Sequence, residues 1–439
     1  MNASTGALAD DFAQRSDEYL NQELRAERFT GSVMVANSNH IAFIKGYGLA
    51  NREHEVRNAP NTKFRIGSIT KQFTAICVLN LQEQGKLSLD DLVSKFVENC
   101  PAHWNQITLR HLLTHTSGIP TYTSLPRHSQ MSKFHWPPAK WIERFRDNPL
   151  EFAPGAGSKY SNSGYFLLGY IVEKASGTLY EDYLQETVFK PLGMINSGYD
   201  RFERILPHRA AGYSWDGAQW KNAPYVDTSV PYAAGALYST VEDFFLWYQC
   251  WREHKILSEA SWRTITESAR NNSGSLEFGI NISEQFGHRV FQHGGGINGF
   301  RSFMSWFPDA DLFICSFGNA DSARSDIVAK NLAALVFKKP LTLPRQRIVV
   351  QLSPMQLESL VGRYELRPNF VFTVTVLGDR LFGRATGQSR IEFLPESEYN
   401  FYAARVLETE ITFCKDPTGN VTHLVLHQNG HHEAKRLKG

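Results

Sequence analysis

The chain has 439 residues, 42% of them hydrophobic, with 46 Lys and Arg against 44 Asp and Glu and a formal net charge of +2. That length exceeds one ordinary hydrophobic core and predicts two domains. The near balance of charge, without long runs of one sign, gives no footing for a nucleic-acid partner and points to a small-molecule or short-peptide substrate. No stretch approaches 18 uncharged apolar residues, so no membrane span is predicted. The acids in MNASTGALADDFAQRSDEYL leave no apolar signal segment, so a cytoplasmic location is expected, or a periplasmic or secreted one if a leader was removed. Five scattered cysteines without Cys-x-x-Cys spacing fit reduced thiols.

Taken in order, residues 8 to 27 carry Leu8, Phe12, Tyr19, Leu20 and Leu24 at roughly helical spacing, an amphipathic first helix. Gly31 to Ala36 alternates with period two, Asn37-Ser38-Asn39 is a turn, and Ile41 to Lys45 returns, an antiparallel hairpin. The polar stretch Asn51 to Arg65 leads into Ile66-Gly67-Ser68-Ile69-Thr70-Lys71, then Ile76-Cys77-Val78-Leu79 and Gly85. Apolar positions three and four apart predict a helix from at or just before Ser68 to about Gln84, with Ser68 and Lys71 on one face.

From Lys86 to about Ser239 helical pieces alternate with loops: Leu109 to Leu113, Pro138 to Arg146, Gly164 to Ala175 and Leu179 to Val188. Strand-like segments resume at Phe278 to Ile282, Val290 to Gln292, Arg301 to Phe307 and Leu312 to Ser316, before a last helix, Ser325 to Phe337. The predicted class is α+β, one antiparallel sheet built from distant segments and covered by helices, with a mainly helical insertion. Lys338 to Arg347, with Pro340 and Pro344, reads as a linker between domains 1–340 and 345–439. Beyond it come a short helix, Pro354 to Leu360, and alternating segments at Phe370 to Leu377, Arg380 to Arg384, Arg390 to Leu394, Tyr399 to Tyr402, Glu410 to Phe413 and Val421 to His427. Six to eight such strands predict a small β-barrel.

Ser68-x-x-Lys71 is the only Ser-x-x-Lys in the sequence. A serine hydroxyl becomes a nucleophile when a neighbour takes its proton, and an amine can do so if burial keeps part of it neutral. Two downstream segments offer partners. Tyr160-Ser161-Asn162 precedes a helix; a phenol beside a lysine ammonium has its phenolate favoured and is a candidate base, and Asn162 offers a donor and an acceptor. His293-Gly294-Gly295-Gly296 lets a substrate lie against backbone. An N–H there can join that of Ser68 in an oxyanion hole, and His293 is placed to hydrogen-bond a substrate carboxylate.

The same glycine run occurs before the nucleophile in α/β-hydrolases, but here it follows the serine and no Gly-x-Ser-x-Gly exists. His115 in Leu112-Leu113-Thr114-His115-Thr116-Ser117-Gly118 is read as fold-stabilising. His427, His431, His432 and Glu433 are read as a solvated tail rather than a metal site, and no cofactor is predicted. The aromatic and basic loops between Thr121 and Trp136 are expected to wall the pocket.

The ordered set Ser68-x-x-Lys71, Tyr160-x-Asn162 and His293-x-Gly295 resembles the serine β-lactamase-like, penicillin-recognising hydrolases: class C β-lactamases, DD-peptidases, D-aminopeptidases and related esterases. Leu112 to Gly118, Pro191 to Met194 and Ala234 to Thr240 extend the likeness over roughly residues 10 to 337, and residues 345 to 439 more loosely resemble a lipocalin-like barrel. The resemblance implies that Ser68 is acylated, Lys71 assists, Tyr160 is principal base and acid, and Asn162 orients the substrate amide. It also implies an oxyanion hole from the N–H groups of Ser68 and Gly296, and no metal. His293 stands where class C β-lactamases have lysine, a departure that favours a D-residue peptide or simple ester over a β-lactam. The alternatives are a β-lactamase and a non-catalytic penicillin-binding sensor. Oligomeric state is left open.

Overall fold

The computed structural model describes residues 11–38, 40–216, 219–271, 276–341, 349–368, 370–386, 390–403, 409–428 and 430–437. The chain forms two compact units, residues 1–213 with 222–341, and residues 214–221 with 342–439.

The larger unit holds a seven-stranded antiparallel sheet in the order Leu276–Glu277, Ile280–Gln285, His288–Ile297, Phe300–Phe307, Leu312–Gly318, Gly31–Asn37, His40–Tyr47. The front hairpin and the back strands join where Gly31 pairs with Gly318, 287 residues further on (318 − 31). The first and last helices, Phe12–Arg25 and Ser325–Val336, are tied by Asn331, whose amide donates to the buried Tyr19 hydroxyl at 2.9 Å. The sheet is thus assembled from both ends of the unit, and the intervening residues form the insertion, with helix Asn162–Ser176 at its centre. That helix starts at Ser161, whose hydroxyl accepts from Gly164 N–H, and stops at Gly177, φ 77°.

The Ser68 segment opens as a 3₁₀ turn, Gly67–Ile69, and continues as helix Thr70–Glu83. Every residue from Thr70 to Leu79 is buried, so this helix is enclosed on all sides rather than amphipathic. Its polar side chains are held inside: Gln72 accepts from Trp247 Nε1–H at 2.9 Å and its amide lies 3.3 Å from Met304 sulfur, while Phe73 stacks on Trp247 at 4.0 Å. Trp247 lies on helix Val241–Arg252, which, with Glu259–Asn271, the sequence reading passes over, because its aromatic residues blur a 3.6-residue period. A small sheet of Phe64–Arg65, Leu237–Ser239 and Gly198–Tyr199 within the insertion is too short to leave an alternating pattern. The strand-like segment Val290 to Gln292 extends on both sides into the strand His288–Ile297, which includes the glycine run His293–Gly296 and pairs with Phe300–Phe307.

The smaller unit contains a closed antiparallel barrel of eight strands. Closure comes from Gly362–Arg367 pairing with His431–Arg436. The expected solvated tail, with His431, His432 and Glu433, is therefore the eighth strand, and its backbone is fixed by hydrogen bonds to Val421–His427. The interior is filled by Tyr364, Phe372, Leu381, Phe393, Phe401, Phe413 and Leu424, as an eight-stranded barrel just wide enough for its own side chains requires. The expected linker, 338–347, lies largely outside the described residues. Among the described residues no helix is long and apolar enough to cross a membrane, and no group of three or more His, Cys, Asp or Glu could hold a metal ion.

Candidate active site

Gly67 sets the position of Ser68. Its φ is +51°, and a Cβ there would lie 2.7 Å from Gly296 N, so only glycine lets this turn meet the strand so closely. Ile66 N–H donates to Leu237 O at 2.9 Å, anchoring the turn to the small sheet. One helical turn on, Lys71 is fully buried. Its Nζ lies 2.7 Å from Ala234 O, 2.9 Å from Asn162 Oδ1 and 3.2 Å from Ser68 Oγ. The Tyr160 hydroxyl donates to Ser68 Oγ at 2.7 Å. Residues 92 apart in sequence (160 − 68) thus place an amine and a phenol on either side of one hydroxyl.

The protonation of this cluster runs against the expectation of a phenolate beside an ammonium. Burial drives the Lys71 amine well below its usual value, and burial pushes the Tyr160 phenol up to about 12, partly countered by its hydrogen bond to Ser68. Lys71 is fully buried, whereas the Tyr160 ring is 39% exposed with its hydroxyl turned inward onto Ser68; both groups favour their neutral forms, and a neutral amine has no charge with which to stabilise a phenolate.

On the facing strand, a Cβ at Gly295 would lie 1.9 Å from Ile66 O and 2.3 Å from Ser302 Oγ, whose hydroxyl donates to that same carbonyl at 2.7 Å. The absence of a side chain at Gly295 is what allows strand and turn to touch. His293 is 5% exposed. Its Nδ1 lies 2.5 Å from Gly294 O, an acceptor, so Nδ1 carries the proton, and Nε2 is buried with no partner. Burial, with Lys71 nearby, takes its pKa down to about 3. His293 lines the cavity beside Ser68, but as a neutral ring with one nitrogen committed to Gly294 O it lacks the charge expected of a carboxylate receptor.

His115 is the residue whose importance the sequence reading understated. It is buried with φ +59°, its carbonyl accepts from Lys159 N–H at 3.0 Å, and its Nδ1 accepts from Ser161 N–H at 3.1 Å. Its ring lies 4.7 Å from that of Tyr160. The backbone is therefore gripped immediately before and after Tyr160.

Residues 12–337 match the family model described as Beta-lactamase, and residues 346–437 match a domain of unknown function, DUF3471. The chain belongs to the β-lactamase family of serine hydrolases. It is 27% identical to penicillin-binding protein 4* of Bacillus subtilis, over 94% of this chain and 96% of that one. An octameric penicillin-binding protein homologue from Pyrococcus abyssi superposes with TM-score 0.65 at 26% identity, covering 96% of this chain and 99% of that one. A D-stereospecific amidohydrolase from Streptomyces shares the fold, with TM-score 0.62 at 24% identity over 74% of this chain and 98% of that one.

In this β-lactamase-family site two cavity lobes meet at Ser68. One, about 350 Å³, is lined by Tyr160, Leu276, Asn281, Gln292, His293, Gly294 and Phe303. The other, about 130 Å³, includes Tyr122, Thr123 and His128 from the expected wall, together with Asn162, Val226, Val230, Pro231 and Ile297. Trp136 lines a separate cavity of about 500 Å³ that does not reach Ser68. Within it Arg201 donates to Glu181 and the Tyr232 hydroxyl to Glu173. The sequence reading also missed the Ala234 carbonyl, since a backbone acceptor has no side-chain signature. Only the small-residue run Ala233-Ala234-Gly235 hinted at close approach.

Proposed function

We propose that this protein is a serine hydrolase acting through an acyl-enzyme on small esters or amides, with Ser68 as nucleophile. The observation that carries the reading is the Ser68 hydroxyl lying 2.7 Å from the Tyr160 oxygen and 3.2 Å from Lys71 Nζ. A neutral Lys71 spends its two N–H bonds on Asn162 Oδ1 and Ala234 O, leaving its lone pair for the Ser68 proton. Ser68 oxygen then bonds to the substrate carbonyl carbon, and the developing oxyanion meets the backbone N–H groups of Ser68 and Gly296. Tyr160, kept neutral, gives its proton to the leaving group and is reprotonated from the Lys71 ammonium. Water repeats the sequence on the acyl-enzyme, releasing acid and free Ser68. Asn162 fixes Lys71 through its oxygen and keeps its amide hydrogens for the substrate. The names of the full-length relatives, penicillin-binding proteins, support a serine open to acylation.

Mass spectrometry after an uncharged fluorophosphonate probe tests this directly. The adduct is expected on Ser68, with turnover of p-nitrophenyl esters or D-aminoacyl anilides abolished in Ser68→Ala; an adduct elsewhere, with the variant equally active, defeats the reading. The non-catalytic sensor predicts a stable Ser68 adduct with no turnover of either substrate class. Having Lys71 and Tyr160 both at hydrogen-bonding distance from Ser68 favours the enzyme, because capture alone does not need a group to protonate the leaving atom.

A further inference from the structure

Resting on the hydrolase reading above, we infer that the substrate is uncharged around its scissile bond, an ester or amide with apolar or carboxamide-like groups, and that substrates bearing a carboxylate there are rejected. Among the described residues, the two lobes flanking Ser68 have no Lys, Arg, Asp or Glu in their lining. The larger offers apolar surface from Leu276 and Phe303 and amides from Asn281 and Gln292. The smaller offers Val226, Val230 and Ile297, and its one titratable imidazole, His128, is biased to the neutral form by burial. His293, the residue in position to receive an anion, has one nitrogen committed to Gly294 O and the other enclosed. An anion seated here would shed water without finding a cation, a cost that grows with enclosure. It would also draw Lys71 toward its ammonium form and remove the lone pair that takes the serine proton. An alternative receptor is Arg301, whose exposed side chain stands over Gly296 with Nη1 donating to Phe300 O at 3.2 Å.

The test compares matched pairs on the full chain: 4-carbamoylphenyl against 4-carboxyphenyl acetate for the leaving group, and p-nitrophenyl valerate against p-nitrophenyl hemiglutarate for the acyl group. Each kcat/KM is divided by the ester's alkaline hydrolysis rate. The neutral member is expected to lead by at least about tenfold in both pairs, and Gln292→Lys, which brings an ammonium to the larger lobe, is expected to narrow at least one gap several-fold. Equal or faster turnover of a carboxylate overturns the inference, most directly if Arg301→Gln then slows that substrate selectively. A gap unmoved by Gln292→Lys also counts against it. Should deacylation be too slow to follow, rates of Ser68 labelling by neutral and carboxylated fluorophosphonates read the same ratio. Labelling of Ser68 with a preference for anions sinks this inference alone, whereas no labelling of Ser68 by either probe sinks the hydrolase reading.

Discussion

His115 supports a prediction that separates position from chemistry. The residue is held uncharged at neutral pH, because burial, then the Coulombic effects of Lys71 and His293, keep its pKa well below 6.5. Its contribution is geometric: one acceptor for Lys159 N–H, one for Ser161 N–H, and a ring face for Tyr160. His115→Leu leaves the buried Ser161 N–H without its partner, worth about 1–3 kcal/mol. It also asks a leucine to hold φ +59°, worth a further ~1–2 kcal/mol. His115→Asn keeps an acceptor at the level of Nδ1 and tolerates the left-handed region, so most of that loss is expected to be recovered. A shift of the Tyr160 hydroxyl by about 1 Å should lower kcat on the order of a hundredfold with KM little changed. The assay is ester hydrolysis with kcat and KM separated, alongside urea unfolding of wild type, Leu and Asn variants. The reasoning is refuted if the Leu variant unfolds like wild type, or if it loses stability with an unaltered kcat. It is equally refuted if Asn restores neither quantity.

Lys71→Met preserves the buried volume but removes the lone pair, so kcat/KM should fall by roughly 10²–10⁴ while far-UV circular dichroism stays the same; full activity would exclude Lys71 as the base. Gly295→Ala puts a methyl carbon 1.9 Å from Ile66 O, so the strand must withdraw from the Ser68 turn, and Ser68 labelling should slow by about a hundredfold. Because activity needs a neutral Lys71 and a protonated Tyr160, log(kcat/KM) should rise with pH through the depressed amine pKa and fall only toward about 12, where the phenol titrates; a descending limb near pH 8 would contradict this. His115 and His293 are buried with lowered pKa values, so the unfolded chain binds more protons between the folded value, about 3 for His293, and the unfolded one near 6.5. Stability is then fully present above about pH 6.5 and declines on acidification, by up to ~1.4 kcal/mol per unit per histidine, measurable by urea midpoints from pH 7 to 4.

Much of the fold was legible because its elements follow simple patterns. The hairpin Gly31–Tyr47 and the strand Phe300–Phe307 are β-rich runs bounded by turns, Leu312–Gly318 is a short continuous apolar run buried throughout, and Pro354 to Leu360 carries its own capping box at Ser353 and Gln356. The elements that escaped are those in which packing overrides pattern. Helix Val241–Arg252 is dense in aromatics that face several partners at once, and the last barrel strand, His431–Arg436, looks like tail because only Ala434 turns fully inward. The family resemblance named Ser68, Lys71, Tyr160, Asn162 and Gly296 from three short motifs, and the fold brings all five to one place.

What short motifs do not carry is the direction in which protons move, because that depends on enclosure. Read as letters, a tyrosine near a lysine suggests a phenolate near an ammonium. In the folded chain Lys71 is fully buried with two acceptors committed to it, and its neighbour Tyr160 is pushed up to about 12. The same enclosure silences His293, which as a letter suggests a switchable cation and as a buried ring is a neutral wedge between Gly294 O and the base of the site. An enclosed amine keeps its lone pair available to Ser68 only while no anion lies beside it, since a nearby negative charge would restore its proton. Selecting uncharged substrates and keeping Lys71 neutral are therefore two consequences of one arrangement, and a change that admitted a carboxylate should slow proton removal from Ser68 in the same step.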